Sequence, residues 1–302
     1  MNLDGVLFFP VTPFDDGGVA TPLLERHIES GLAHAPGAVF VACGTGEMHA
    51  LSPEEYAVAV KSAVGTTAGS VPVLAGAGGP LPTAMEHART AQEAGADGIL
   101  LLPPYLATGP VAGMVDYVTA VARSTDLPVV VYQRGQVRFT PEAVAGLAKI
   151  PNIVGFKDGL GDMELMHSIV LEVRRTVGDD FWFFNGLPTA ELTVPAYRGV
   201  GVPLYSSAVF CFAPEIATAY YRATQAEDAA TVQRLSGEFY APLVRLRNRV
   251  PGYAVSLVKA GVRIRGLDVG TVRPPLTEPS SEHLHELEAL IGHGLSQVGG
   301  PA

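Results

Sequence analysis

Cysteine, basic charge and long apolar runs are all scarce in this chain of 302 residues, and each scarcity removes a class of function. Two cysteines, Cys43 and Cys211, cannot build a disulfide framework or a Cys-rich zinc site. Both lie in apolar runs and read as small buried residues. Basic residues are outnumbered, 20 Lys+Arg against 30 Asp+Glu, for a net charge of −10. Nucleic acid and anionic membrane surfaces demand clustered positive charge, so neither is an expected partner. An anionic small molecule stays open, because one arginine or a ring of backbone N–H groups can hold it. Apolar stretches such as Gly98 to Leu102, followed by two prolines, fall far short of the ~20 residues a membrane-spanning helix needs. The first arginine is Arg26 and the first lysine Lys61, so the start of the chain does not read as a secretory leader. A cytoplasmic enzyme or binding protein is the expectation.

What is present is enough hydrophobic material, 48% of the chain, for one large core. Eight short apolar runs recur: Val6–Phe9, Ala38–Ala42, Pro72–Gly76, Gly98–Leu102, Pro128–Tyr132, Ile153–Lys157, Phe181–Phe184 and Gly201–Tyr205. Uninterrupted apolar runs suit parallel strands covered on both faces. Helix signals lie between them. Ser52-Pro53-Glu54-Glu55 and Thr140-Pro141-Glu142 each offer an N-cap, a first-turn proline and first-turn acid. Gly95 suits a left-handed helix cap. The regular strand–helix alternation predicts a (β/α)8 TIM barrel, an α/β fold, over residues 1–225. After Tyr205 the strands stop, and Ala213–Thr224, Asp228–Arg247, Tyr253–Arg263 and a segment from about Ser281 read as helices. Residues 226–302 are therefore expected to form a C-terminal helical extension packed on the barrel, with Gly299-Gly300-Pro301-Ala302 frayed. A dinucleotide fold is the rival, but Gly76-Ala77-Gly78-Gly79 lacks the third glycine of the phosphate turn.

Barrel enzymes carry their chemistry at the C-terminal ends of strands. Those positions hold Thr12, Gly44-Thr45-Gly46-Glu47, Tyr105, Tyr132-Gln133-Arg134, Lys157-Asp158, Asn185-Gly186 and Ser206-Ser207. Only four lysines occur. Lys61, Lys149 and Lys259 fall in helical patterns and read as solvated. Lys157 ends an apolar strand, where poor solvation lowers an amine's pKa and frees it to attack a ketone. An ion pair with Asp158 is the alternative, weakened because neighbouring strand residues point to opposite faces. Tyr132 ends the preceding strand and is either a proton-transfer partner for Lys157 or a core tyrosine. The glycines of Gly44-Thr45-Gly46 let backbone N–H groups approach an anion. Histidines are scattered. His283 and His285 are near neighbours in the last helix and His49 stands alone, so no metal site is expected.

Taken together, Pro10-Val11-Thr12-Pro13-Phe14, Gly44-Thr45-Gly46-Glu47, Gly95-Ala96-Asp97-Gly98, Pro103-Pro104-Tyr105, Val131-Tyr132 and Gly155-Phe156-Lys157-Asp158 resemble the superfamily of dihydrodipicolinate synthase and N-acetylneuraminate lyase. The resemblance implies a barrel with a helical C-terminal extension, Lys157 as imine-forming residue, Tyr132 as its proton-transfer partner, and a homotetramer built as a dimer of dimers. Within the superfamily the chain is most similar to the 5-dehydro-4-deoxyglucarate dehydratases. That likeness rests on Phe8-Phe9-Pro10, Leu100 to Leu106, Tyr132-Gln133-Arg134, Gly155 to Gly159, Gly252 to Ser256 and Val272 to Leu276. It implies a keto-acid substrate that loses water and carbon dioxide with no external cofactor. Thr45, with Gly44 and Gly46, is expected to hold the carboxylate beside the ketone. Arg134 is a candidate for the far end, and Asn185, Gly186, Ser206 and Ser207 for the hydroxyls. Gly44 stands where the synthase has Thr and Leu106 where it has a tyrosine, so the synthase relay is incomplete. A pyruvate-releasing aldolase or synthase-like lyase, and a non-catalytic keto-acid-binding barrel, are the competing readings.

Overall fold

The structure, a computed structural model, describes residues 3–104 and 109–299. Tyr105, Leu106 and the end of the expected frayed tail, Gly300-Pro301-Ala302, lie outside the described residues. Eight parallel strands form a closed barrel: β1 (Leu7–Phe8), β2 (Ala38–Val41), β3 (Val73–Ala77), β4 (Gly98–Leu101), β5 (Val129–Gln133), β6 (Ile153–Asp158), β7 (Trp182–Asn185) and β8 (Leu204–Ser207). Each of the eight expected apolar runs supplies one of them. Every residue of β2, β3, β4 and β5 is buried, which is why they read as continuous apolar runs and not as alternating ones.

Two compact units can be distinguished within the chain, each with its own packing. Val73–Ser206 is the first. In it β3 to β7 pair in sequence order, with Ile99 opposite Val129 and Phe156 opposite Phe183. Two of the helices between them start on side-chain caps, the first at the expected Thr140. Thr140 accepts a hydrogen bond from Ala143 N at 3.2 Å, and Asp162 from Leu165 N at 3.0 Å. Gly95 takes φ 85°, a left-handed turn back into β4 that other residues adopt only with strain.

The second unit joins the segment up to Pro72 with the segment from Ser207 onward. β1 pairs with β2, Leu7 opposite Ala38, and a small antiparallel hairpin joins Phe14–Asp15 to Gly18–Val19. Ser52 and Glu55 close a capping box on the helix Pro53–Thr67. Helices follow the last strand: Pro214–Gln225, Ala229–Leu235, Ala241–Arg247, Tyr253–Ile264 and Ser281–Ser296. The single helix expected over Asp228–Arg247 is interrupted by a π turn at Ser236–Tyr240, which buries Phe239 and Tyr240 together. Lys61 and Lys149 are exposed as expected, but Lys259 is not. Its helix carries an unbroken buried run from Ser256 to Val262, so the lysine has no route to solvent. No helix among the described residues is long and apolar enough to cross a membrane.

One buried histidine makes this unit acid-sensitive. His27 accepts from Val11 N at 3.4 Å, so the folded state needs the neutral ring, and burial lowers its pKa from 6.5 to about 4. The unfolded chain binds a proton at this residue below pH 6.5, while the folded one resists until about pH 4. Stability is therefore full above pH 6.5 and falls as the pH drops through that window. Between pH 7 and pH 5 the loss from this group is about 2 kcal/mol. Urea midpoints of wild type and His27→Gln at the two pH values check this: the variant should lose less stability on acidification.

Candidate active site

Lys157 and Tyr132 are neighbours because of strand register. β5 and β6 pair in parallel with Tyr132 opposite Lys157 and Gln133 opposite Asp158. Both side chains are buried, and the Lys157 Nζ lies 4.9 Å from the centre of the Tyr132 ring. The Tyr132 hydroxyl donates to the carbonyl of Gly186 at 2.7 Å, just past the end of β7. That bond fixes the position of the phenol oxygen and leaves it able to accept a proton as it gives its own.

Two glycines make room for this arrangement. A Cβ on Gly186 would sit 2.7 Å from Cγ and Cε of Lys157 and 2.7 Å from the Tyr132 ring. A Cβ on Gly159 would sit 2.9 Å from the Tyr132 ring edge and its hydroxyl oxygen. Both approaches are closer than real carbon atoms tolerate, so either methyl must push the amine or the phenol aside. Gly186→Ala is therefore expected to cut turnover by about 10²-fold, the cost of misplacing a reacting group by ~1 Å. Steady-state kinetics alongside a melting curve checks it; turnover within threefold of wild type contradicts the packing argument.

One residue further along the same two strands, Asp158 ties the strand ends together. Its carboxylate accepts from Gln133 Nε2 at 2.7 Å, from Leu160 N at 3.1 Å, from Gly161 N at 3.2 Å and from the Tyr197 hydroxyl. Gln133 in turn accepts from Phe139 N at 3.1 Å. Burial pushes the Tyr197 phenol far above its ordinary pKa, and the Asp158 charge pushes it further, so it stays a donor. Sequence reading did not find Tyr197: it lies 39 residues from Asp158, inside a helix, with no motif around it.

The other candidates are placed less directly. The Asn185 amide donates to Ala190 O and Thr193 Oγ1, and its oxygen accepts from Leu187 N, so the side chain braces its own loop. Ser207 is buried and accepts from Phe210 N at 3.2 Å, while Ser206 is half-buried. Arg134 is exposed, just past the end of β5.

In the second unit the glycine loop is built tightly. Thr12 Oγ1 donates to Gly46 O at 2.6 Å, and Glu47 N donates to Gly44 O at 3.2 Å. A Cβ on Gly46 would lie 3.1 Å from Ala42 N and 3.2 Å from Thr12 Oγ1. Gly44 and Thr45 are half-buried. Glu47, at φ 55°, turns its carboxylate into a closed pocket of partners. Lys259 Nζ reaches one oxygen at 2.9 Å, and Arg273 N donates to the other at 2.8 Å. Burial lowers the Lys259 pKa, opposed by the attraction of Glu47. This buried pair corrects the reading of Lys259 as solvated. Among the described residues, no three His, Cys, Asp or Glu side chains gather as metal ligands, and His49 is exposed.

With this geometry in hand, comparison with known proteins is specific. Residues 2–293 match the Dihydrodipicolinate synthetase family. A Streptomyces coelicolor protein named "Probable 5-dehydro-4-deoxyglucarate dehydratase 1" is 55% identical over 292 residues, covering 96% of this chain and 92% of its own. A Delftia acidovorans protein named "Probable 5-dehydro-4-deoxyglucarate dehydratase" is 46% identical over 289 residues, covering 95% and 94%. Among solved structures, dihydrodipicolinate synthase from Bacillus anthracis superposes with a TM-score of 0.85 at 28% identity, covering 95% of this chain and 97% of that one. The barrel, the extent of the family match and the identities agree: the chain belongs to the dihydrodipicolinate synthetase family.

Proposed function

We propose that this protein is a Schiff-base-forming hydro-lyase that converts 5-dehydro-4-deoxyglucarate to 2,5-dioxopentanoate, water and carbon dioxide. The observation that carries the chemistry is the buried Lys157 amine against the Tyr132 ring, with the phenol hydroxyl anchored on Gly186. Relatives at 55% identity over nearly the whole chain, named for this dehydratase, support the substrate.

Lys157 attacks the ketone and expels its oxygen as water, giving an iminium that draws electrons from the neighbouring carbon. Tyr132 takes a proton from that carbon and hands its own to the β-hydroxyl, which leaves as water, so the phenol ends as it began. The product is a conjugated iminium. The bond to the far carboxylate then breaks, carbon dioxide departs, and its electron pair flows through the double bond to the iminium nitrogen. Protonation of the resulting dienamine and tautomerisation of the terminal enol give an aldehyde, and hydrolysis restores Lys157. One proton is consumed overall. The lysine is the electron sink, and the reading calls on no external cofactor.

In this reading Thr45, Gly44 and Gly46 hold the carboxylate beside the ketone. Arg134 sits toward the far end, with Asn185, Gly186, Ser206 and Ser207 near the hydroxyls. A tight ion pair on the far carboxylate would stabilise the group that must leave, so a loose contact there favours the transition state. We place the enzyme in the cytoplasm as a homotetramer, a dimer of dimers, on the strength of the family resemblance.

Product analysis tests the reading. Mass spectrometry after incubation with 5-dehydro-4-deoxyglucarate should show carbon dioxide and the semialdehyde, with no pyruvate. Pyruvate release would make the protein an aldolase. A cyclic product from pyruvate and aspartate semialdehyde would make it a synthase.

A further inference from the structure

The Lys259–Glu47 pair lies outside the chemistry just described, yet it touches the loop to which that chemistry assigns the carboxylate. Glu47 follows Gly46 directly, and both members of the pair are fully buried, at 0% exposure. A carboxylate in that position is a hazard for an anion-binding loop. Its charge is poorly screened, and it stands two residues from Thr45. Among the described residues, Lys259 is the only side-chain cation bonded to it. Arg273 contributes its backbone N–H to Glu47, but its guanidinium is taken by both oxygens of Glu55, at 2.6 and 2.7 Å, and by Ala50 O at 2.8 Å. The centre of the Phe14 ring lies 4.1 Å from Lys259 Nζ and 3.9 Å from the Arg273 guanidinium carbon. Phe14 is two residues beyond Thr12, whose hydroxyl braces the Gly46 carbonyl. The helix Tyr253–Ile264 thus delivers one positive charge to the back of the glycine loop.

We infer that Lys259 is a positioning residue for catalysis: by neutralising Glu47 it keeps the Gly44–Glu47 loop able to accept the substrate's carboxylate. The inference rests on the reading of that loop as the carboxylate site. It makes the helices after the barrel part of substrate binding, not packing alone. It also assigns the pair an electrostatic role, which differs from a purely structural one in sign. Removing the cation alone leaves a buried carboxylate with no side-chain cation bonded to it, two residues from Thr45. Removing both charges returns the loop to neutrality.

The test compares wild type, Lys259→Met, Glu47→Gln and the double variant, each with its melting curve. The readouts are KM for the diacid, and borohydride trapping of pyruvate against trapping of hydroxyacetone, a ketone without a carboxylate. Lys259→Met should raise KM about tenfold or more and slow pyruvate trapping equally, as expected for an uncompensated buried charge. Its trapping of hydroxyacetone should stay within about threefold of wild type, because no anion is involved. Glu47→Gln should bind the keto acid at least as tightly as wild type. The double variant should recover most of the lost affinity. If Lys259→Met is too unstable to assay, Glu47→Gln and the double variant still decide. A raised KM in both means the pair acts through geometry, and the inference fails. Equal slowing of pyruvate and hydroxyacetone in Lys259→Met overturns it too. A wild-type enzyme that does not prefer pyruvate to hydroxyacetone has no carboxylate site, and that result sinks the underlying reading as well.

Discussion

Lys157→Ala is expected to abolish turnover, by about 10⁴-fold or more, the scale on which an enzyme loses a covalent nucleophile. Without the amine no iminium forms, and the neighbouring C–H and the far carboxylate have nowhere to send their electrons. Lys157→Arg should be as inactive, because a guanidinium stays protonated and cannot attack a ketone. Lys157→Met is the informative control. It keeps the buried stem that fills the space beside Tyr132 and Gly186, and lacks only the nucleophile. All three should remain folded, which circular dichroism and melting curves establish. Activity in the methionine variant above a hundredth of wild type would remove Lys157 from the mechanism.

Tyr132→Phe should cut turnover by about 10²–10⁴-fold, the usual worth of a positioned acid–base group. The ring would still fill the slot between Gly159 and Gly186, so the loss falls on proton transfer and not on packing. Imine formation should survive, and borohydride trapping of a keto acid should proceed at a rate within about tenfold of wild type. The Gly186 carbonyl would lose its donor, at a cost of about 1 kcal/mol in stability. Near wild-type turnover would make Tyr132 a packing residue and return the proton transfer to another group.

Much of this was legible in the sequence, for identifiable reasons. Parallel strands buried on both faces are largely apolar, so β2 to β6 announced themselves as short hydrophobic runs between helical segments. The place of Lys157 at the buried end of a strand was legible because a lysine at the end of such a run breaks the pattern. The caps at Ser52 and Thr140 are local, and local signals survive in a single sequence. What was hidden is long-range. Lys259 looked like any helical lysine because its partner Glu47 is 212 residues away. Asp158 showed its place on the strand, but not the Tyr197 hydroxyl that meets it. Gly186 stood among the hydroxyl-binding candidates and Gly159 at the end of the Gly155 to Gly159 likeness; that their missing side chains leave room for a phenol and an amine is a fact of packing. Asn185 stood at a strand end as a hydroxyl-binding residue should, yet its amide is engaged by its own loop.

The central claim is that a ketone substrate becomes covalently bound at Lys157. Incubating the enzyme with 5-dehydro-4-deoxyglucarate, reducing with borohydride and mapping the peptides by mass spectrometry tests it most directly. One stable adduct, confined to the peptide that carries Lys157 and absent from Lys157→Met, is the predicted result. An adduct at Lys61, Lys149 or Lys259 instead, or carbon dioxide release with no trapped adduct at all, would contradict it.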